Sequence, residues 1–230
     1  MADVLVILAH PDMARSRVNR ALAGAARALP AQEVEVRDLY ALYPDFVIDI
    51  EAEQACLQRA RTVVWVHPFH WYGMPALMKL WVDDVFAFGW AYGHAGHALA
   101  GKCLWLVVST GGPESAYSEH GNNARPFSAF LPPYMQTAAL VGMTFLEPTV
   151  FHGAHRSDDA HIRAHAERFA GRLQDLVHEA RAAGAPPLPA IADDERPGPS
   201  ADAPPERAAI ASAGPGRPAL AGPESAGAAR

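Results

Sequence analysis

The 230-residue chain is half hydrophobic, carries a formal net charge of −6 and takes all but two of its basic residues from Arg, the exceptions being Lys79 and Lys102. No basic block appears, so nucleic acid is not an expected partner. Cys56 and Cys103 are too few and too far apart for a disulfide framework or a Cys-based metal knuckle, which points to a reducing compartment. The opening MADVLVILAHPD carries Asp3 and only a short apolar run, Val4 to Ala9, unlike a signal peptide. No run approaches the roughly 18 apolar residues of a membrane span. A cytoplasmic protein is expected.

Taken in chain order, VLVILAH is a continuous, β-branched apolar run and reads as a buried strand. It opens into HPDMARSRVN, which is neither G-x-G-x-x-G nor a Walker loop. Ser16, Arg17 and Asn19 open a helical pattern over about 16–29, where hydroxyl, amide and free N–H groups suit a monophosphate. The plainer reading is that Ser16 only caps the helix. EVEVRDL is the second strand candidate, followed by a helix over 50–59, and TVVWVHP is the third. Residues 67–72, HPFHWY, are six consecutive ring-bearing residues placed before a helix over 74–88. Exposed rings left unused are an aggregation liability, so a flat ligand covers them or they pack as plain core.

KCLWLVVSTGG is the fourth strand candidate, and Gly111 and Gly112 let backbone N–H groups approach a planar ligand where the chain leaves it, though a plain turn uses glycines too. A helix over 127–141, the strand MTFLEPTVF and a helix over 158–183 complete the pattern. Strand and helix alternate five times, as a parallel sheet covered on both faces requires. In such a sheet ligands bind beyond the carboxyl ends of the strands, where the loops after strands 1, 3 and 4 meet. His161 and His165 stand one helical turn apart, with His152 and His155 before them. With no HExxH and no acid or cysteine to complete a set, they read as solvated surface histidines rather than a metal site. The domain therefore spans 1–184, and the Pro- and Ala-rich segment 185–230, which holds no aromatic residue, reads as disordered.

HPFHWYGMPALMKLWVDDVFAFGWAYG, STGGPESAY and AHPD together resemble the flavodoxin-like NAD(P)H:quinone reductases. DLYALYPDFVIDI, residues 38–50, is particularly similar to their short bacterial branch, the KefF and KefG ancillary proteins of glutathione-regulated potassium efflux. The likeness runs from about residue 3 to 180. It implies a five-stranded parallel sheet of order 2-1-3-4-5 with helices on both faces. His10, Ser16, Arg17, Val18 and Asn19 match positions that hold the flavin phosphate and ribityl chain; Phe69, His70, Trp71 and Tyr72 match the loop along the isoalloxazine edge. Ser109, Thr110, Gly111 and Gly112 match the loop at its pyrimidine end. The short branch resembles FMN binders and the longer enzymes carry FAD, so FMN is the first expectation and FAD the alternative.

The implied reaction passes a hydride from NAD(P)H through the flavin to a quinone, with azo- or nitro-reduction as the alternative on the same fold. The Gly111 and Gly112 N–H groups would stabilise charge on the reduced ring. Tyr117 matches a tyrosine that hydrogen-bonds this region in the larger enzymes, and Asn123, with His120 nearby, stands where those enzymes have a histidine. The resemblance also implies a homodimer joined around FAFGWAYGHAGHAL. A further implied role is that of a regulatory subunit on the cytoplasmic domain of a potassium/proton antiporter, which would bring the protein to the inner membrane.

Overall fold

The computed structural model describes residues 2–182. The segment expected to be disordered, 185–230, lies outside the described residues. The strands are β1 (Val4–Leu8), β2 (Val34–Asp38), β3 (Thr62–Pro68), β4 (Cys103–Ser109), β5 (Thr144–Phe145) and β6 (Thr149–Phe151). The helices are α1 (Val18–Arg27), α2 (Leu39–Leu42), α3 (Ile50–Arg59), α4 (Ala76–Val85), α5 (Pro132–Leu140) and α6 (Asp159–Ala182). All strand pairs are parallel, in the order β2-β1-β3-β4-β5, with β6 also on β4. The order 2-1-3-4-5 is the expected one.

Period-two alternation assigns each central strand residue to one of two cores. Leu5, Ile7, Trp65, Leu104 and Leu106 face α3, α4 and α5, sharing a core with Leu57, Leu77, Trp81 and Tyr134. Val4, Val6, Leu8, Val64, Trp105 and Val107 face the other way, against Leu22 and Ala26 of α1 and Phe169 and Leu173 of α6. Burial on both faces explains why β1 and β3 are apolar without interruption; each fully buried side chain of this size contributes about 1.5–3 kcal/mol.

Two expectations are refined. The fifth strand comes in two pieces: Phe145 pairs with Leu104 and Thr149 with Val107, so the edge advances four residues against three in β4. Pro148 sits in the extra step, where its missing N–H disrupts the ladder at a sheet edge. The helix expected over 127–141 is likewise divided, into a 3-10 turn Phe127–Phe130 and α5, because Pro132 and Pro133 suit a helix start and not a helix interior. The register pairs Pro68 with Ser109, and Phe69 N–H donates to the Ser109 carbonyl at 2.8 Å, so the loops after β3 and β4 leave the sheet side by side.

Candidate functional site

At the end of β1 the chain turns through His10–Arg17 into α1. The Ser16 hydroxyl accepts from Asn19 N–H at 3.2 Å, so the capping reading holds. The same hydroxyl accepts from Asn19 Nδ2 at 3.3 Å, and Nδ2 also donates to Ser109 Oγ at 2.9 Å. Asn19 thus ties the first loop to the end of β4. Its Oδ1 is buried and has no partner, an acceptor that a hydroxyl of a ligand would satisfy. The Arg17 and Val18 amides have no acceptor among the described residues, leaving free donors at a helix N-terminus. The Arg17 guanidinium turns away to Ser157 O at 2.8 Å and Asp159 Oδ1 at 2.6 Å, so the backbone of Arg17 rather than its side chain is the open donor.

The aromatic loop is a two-residue hairpin turn. His70 and Gly73 exchange both backbone hydrogen bonds, at 3.1 and 3.0 Å, and Trp71 and Tyr72 hold φ of 48° and 65° between them. Both central residues of such a turn need positive φ, a conformation that favours Asn and Gly and strains bulky residues. The turn leaves Trp71 95% exposed and Tyr72 half exposed. His70 approaches His10 edge to face, with ring centroids 6.2 Å apart. Beneath the turn, His67 is fully buried, stacks on Tyr134 at 5.8 Å and donates or accepts through Nδ1 at the Pro68 carbonyl; burial pushes it down to about 4.

The loop after β4 closes the arrangement. Gly111 and Gly112 N–H groups have no acceptor among the described residues, as an anion or a carbonyl-bearing ring edge requires. A Cβ at Gly111 would meet the His155 ring at 3.1 Å, so close packing, and not only turn geometry, selects glycine there. Thr110 Oγ1 donates to the Gly112 carbonyl at 2.8 Å and lies 3.0 Å from His152 Nδ1. The Tyr117 ring lies 5.2 Å from His152 and 6.4 Å from Phe69, and burial raises its phenol above the ordinary value.

Structure therefore brings His10, Ser16, Asn19, Phe69, His70, Ser109, Thr110 and Tyr117 into one rim, with the amides of Arg17, Val18, Gly111 and Gly112 open along it. Four contributors were not legible in the sequence. Phe127 packs on Phe69 at 4.8 Å, Phe130 stacks on Tyr72 at 5.1 Å, Asn123 Oδ1 accepts from Tyr72 OH at 3.2 Å, and His152 contacts Thr110. The three-residue spacing of Phe127 and Phe130, which puts both on one face of a 3-10 turn, was the available signal. The reading of the histidines as surface groups is corrected for two of them. His165 is 5% exposed against Phe151 and pushed down to about 4 by burial, and His152 is half-buried. Among the described residues no group of three or more His, Cys, Asp or Glu is placed to hold a metal.

A family model for the flavodoxin-like fold matches residues 2–173. The chain belongs to this flavodoxin-like family. It is 44% identical over 172 residues to the glutathione-regulated potassium-efflux system ancillary protein KefF of Enterobacter sp. (strain 638), covering 75% of this chain and 96% of that one. Among solved structures it is similar to general stress protein 14 of Treponema denticola in complex with FMN, with 33% identity, TM-score 0.68 and coverage of 77% and 99%. It is also similar to an NADPH-quinone reductase of P. pentosaceus, with 27% identity, TM-score 0.65 and coverage of 77% and 98%. A chain described as a thermophilic tryptophan halogenase of Streptomycin violaceusniger matches at 38% identity and TM-score 0.68, over 75% and 97%. Names diverge across one fold, so function is argued from the site.

Proposed function

We propose that the chain binds FMN noncovalently at this rim and catalyses NAD(P)H-dependent, two-electron reduction of quinones. The observation that carries the reading is the set of unused donors and acceptors converging there: the Arg17, Val18, Gly111 and Gly112 amides and Asn19 Oδ1, beside the exposed Trp71 ring. Phosphate suits the α1 N-terminus, a ribityl hydroxyl satisfies Asn19 Oδ1, and the flat ring system lies along Phe69–Tyr72 with its pyrimidine end at Gly111 and Gly112. A bound flavin supplies hydride chemistry; the chain supplies orientation, N–H groups for developing negative charge, and rings that exclude water. The FMN-bound relative and the NADPH-quinone reductase relative support cofactor and substrate class. The chain described as a halogenase gives no reason to prefer another acceptor, because the rim needs only a flat electron acceptor above the ring.

FAD is the second reading, favoured by a groove of about 340 Å³ lined by Arg17, Arg20, Ala21 and Arg163 beside the α1 N-terminus, where a second phosphate would meet cationic groups. The KefF relative supports an additional role as activating subunit on the cytoplasmic domain of a potassium/proton antiporter, with the protein cytoplasmic and held at the inner membrane through that partner. Among the described residues no helix is long and apolar enough to cross a membrane, so such an association requires a partner or a surface. Phe88, 58% exposed at the start of the loop that follows α4, is the apolar surface that a homodimer would cover. Release of the chromophore by heat, followed by chromatography against FMN and FAD standards, tests the cofactor. Colourless protein that takes up neither flavin would overturn the assignment, and an acceptor panel of quinones, azo dyes and nitroaromatics tests the substrate.

A further inference from the structure

We propose that His152 is the proton-exchanging residue of this site, acting through the Thr110 hydroxyl on Tyr117. Three side chains from two segments form the chain of contacts. Thr110, directly after β4, places Oγ1 3.0 Å from His152 Nδ1, and His152 directly follows β6. The Thr110 and Asn123 side chains both act on the Tyr117 phenol, and the His152 ring lies against Tyr117 at 5.2 Å and edge-on to Phe127 at 5.7 Å.

The hydrogen-bond inventory determines the tautomer. The single Thr110 hydroxyl proton is directed at the Gly112 carbonyl at 2.8 Å, so Oγ1 offers only lone pairs to the imidazole. His152 Nδ1 therefore carries the hydrogen, and Nε2 is the bare nitrogen. Nε2 has no protein partner among the described residues, and the ring borders an open groove of about 530 Å³ with Glu114, Arg156 and His161. One face of the imidazole thus touches the site and the other reaches water. Burial, only partly opposed by Glu114, holds the ring below its ordinary value and so neutral at pH 7, as a group that exchanges protons in both directions must be.

The transfer balances without any change in electrons. Reduction of a carbonyl-type acceptor by hydride leaves one oxygen in need of a proton. Tyr117 O–H gives its proton to that oxygen, Thr110 O–H turns from Gly112 to restore the phenol, and His152 Nδ1–H restores Thr110. Nε2 then takes a proton from groove water, so one O–H bond forms at the acceptor and one breaks in the solvent. The imidazole stays neutral throughout, and exchange with groove water resets its tautomer.

The role of Tyr117 in this scheme rests on the reductase reading; the tautomer of His152 does not. The test compares the wild-type chain with His152→Gln, whose amide can still bond Thr110 but cannot exchange tautomers. Nitrogen NMR of the imidazoles is expected to show His152 protonated at Nδ1 at pH 7. FMN affinity, from quenching of flavin fluorescence, is expected to be unchanged. Reoxidation of the reduced flavoprotein by a quinone in a stopped-flow instrument is expected to slow at least about tenfold, the low end for a lost proton-transfer group. Added imidazole is expected to restore much of the rate in His152→Gly. Wild-type rates in His152→Gln, an Nε2–H tautomer, or slow turnover explained by lost FMN affinity would each overturn the proposal. A wild-type chain that takes up no flavin would overturn the reductase reading and this role together.

Discussion

Two buried polar groups, Glu53 and Asn19, are treated in opposite ways. Glu53 is fully buried on α3, yet it accepts from Arg37 Nε at 2.7 Å, Tyr43 OH at 2.5 Å and Trp81 Nε1 at 2.9 Å. That network joins β2, the segment after α2, α3 and α4, and raises the Tyr43 phenol to about 12 through burial and the bond to Glu53. Asn19 is 2% exposed, yet its Oδ1 has no partner, and the nearest free amides lie on the same helix start. Complete satisfaction marks a group that holds the fold. A buried group left open, next to strained and exposed rings, marks a place built for something else.

The largest expected effect lies on the satisfied side. Removing one partner of a buried ion pair leaves a charge in low dielectric, so Glu53→Ala is expected to cost about 3–5 kcal/mol in urea unfolding. Since Glu53 and its partners contribute nothing to the rim, FMN affinity of the molecules that remain folded should match wild type. A loss below about 1 kcal/mol, or a selective loss of flavin, would break the distinction between the two regions.

Next comes acid. His67 and His165 are each pushed from 6.5 to about 4 by burial, so the folded chain resists protons that the unfolded chain binds. The stability they contribute is complete above pH 6.5, declines as pH falls from there toward 4, and is level below that. A pKa moved this far corresponds to about 3 kcal/mol per histidine by pH 4. Thermal unfolding between pH 7 and pH 4 should show the decline, and His67→Phe, which keeps a ring on Tyr134, should flatten part of it. A profile equally steep in the variant would show that His67 titrates normally.

A smaller effect of opposite sign is expected at the hairpin turn. Left-handed backbone at a bulky residue costs about 1–3 kcal/mol, so replacing Trp71 by Asn and Tyr72 by Gly should stabilise the apo chain by about 2 kcal/mol. The same double variant should bind FMN at least tenfold more weakly. Stabilisation without loss of flavin would mean that the rings are not the cover of a ligand.

How much of this was legible in the sequence follows the same division. The uninterrupted apolar runs of β1, β3 and β4 can only be strands buried on both faces, so sheet order and the three converging loops were readable in advance. Local chemistry also marked Ser16, Asn19, Trp71 and Gly111. The short helix α2, the split edge strand and the contribution of His152 were not readable, because each depends on partners distant in sequence. Tyr43 is positioned by Glu53, the extra edge residue shows only against β4, and His152 meets Thr110 across 42 residues. The free amides of Gly111 and Gly112 were anticipated as donors, but His155 as the reason for glycine at 111 appears only in three dimensions.

The smallest expected effect concerns Tyr117, which stands between the two kinds of region: its ring packs in the aromatic cluster with Phe127 and Phe69, while its hydroxyl faces Thr110 and Asn123. Phenylalanine keeps the ring, so Tyr117→Phe leaves the packing intact and removes only the donor. Loss of one preorganised donor in a fully enclosed site costs about 2.7–4 kcal/mol, and a partly exposed hydroxyl should cost less. A tenfold slowing of quinone reduction, about 1.4 kcal/mol, is the expected outcome, with FMN affinity almost unchanged. His152→Gln and Tyr117→Phe should also fail to add, since both interrupt one chain of proton transfers. Equal rates for Tyr117→Phe and wild type would assign Tyr117 to the packed side of the comparison and leave the Gly111 and Gly112 amides as the source of electrostatic stabilisation. Additive losses in the double variant would place His152 and Tyr117 on separate paths to the site.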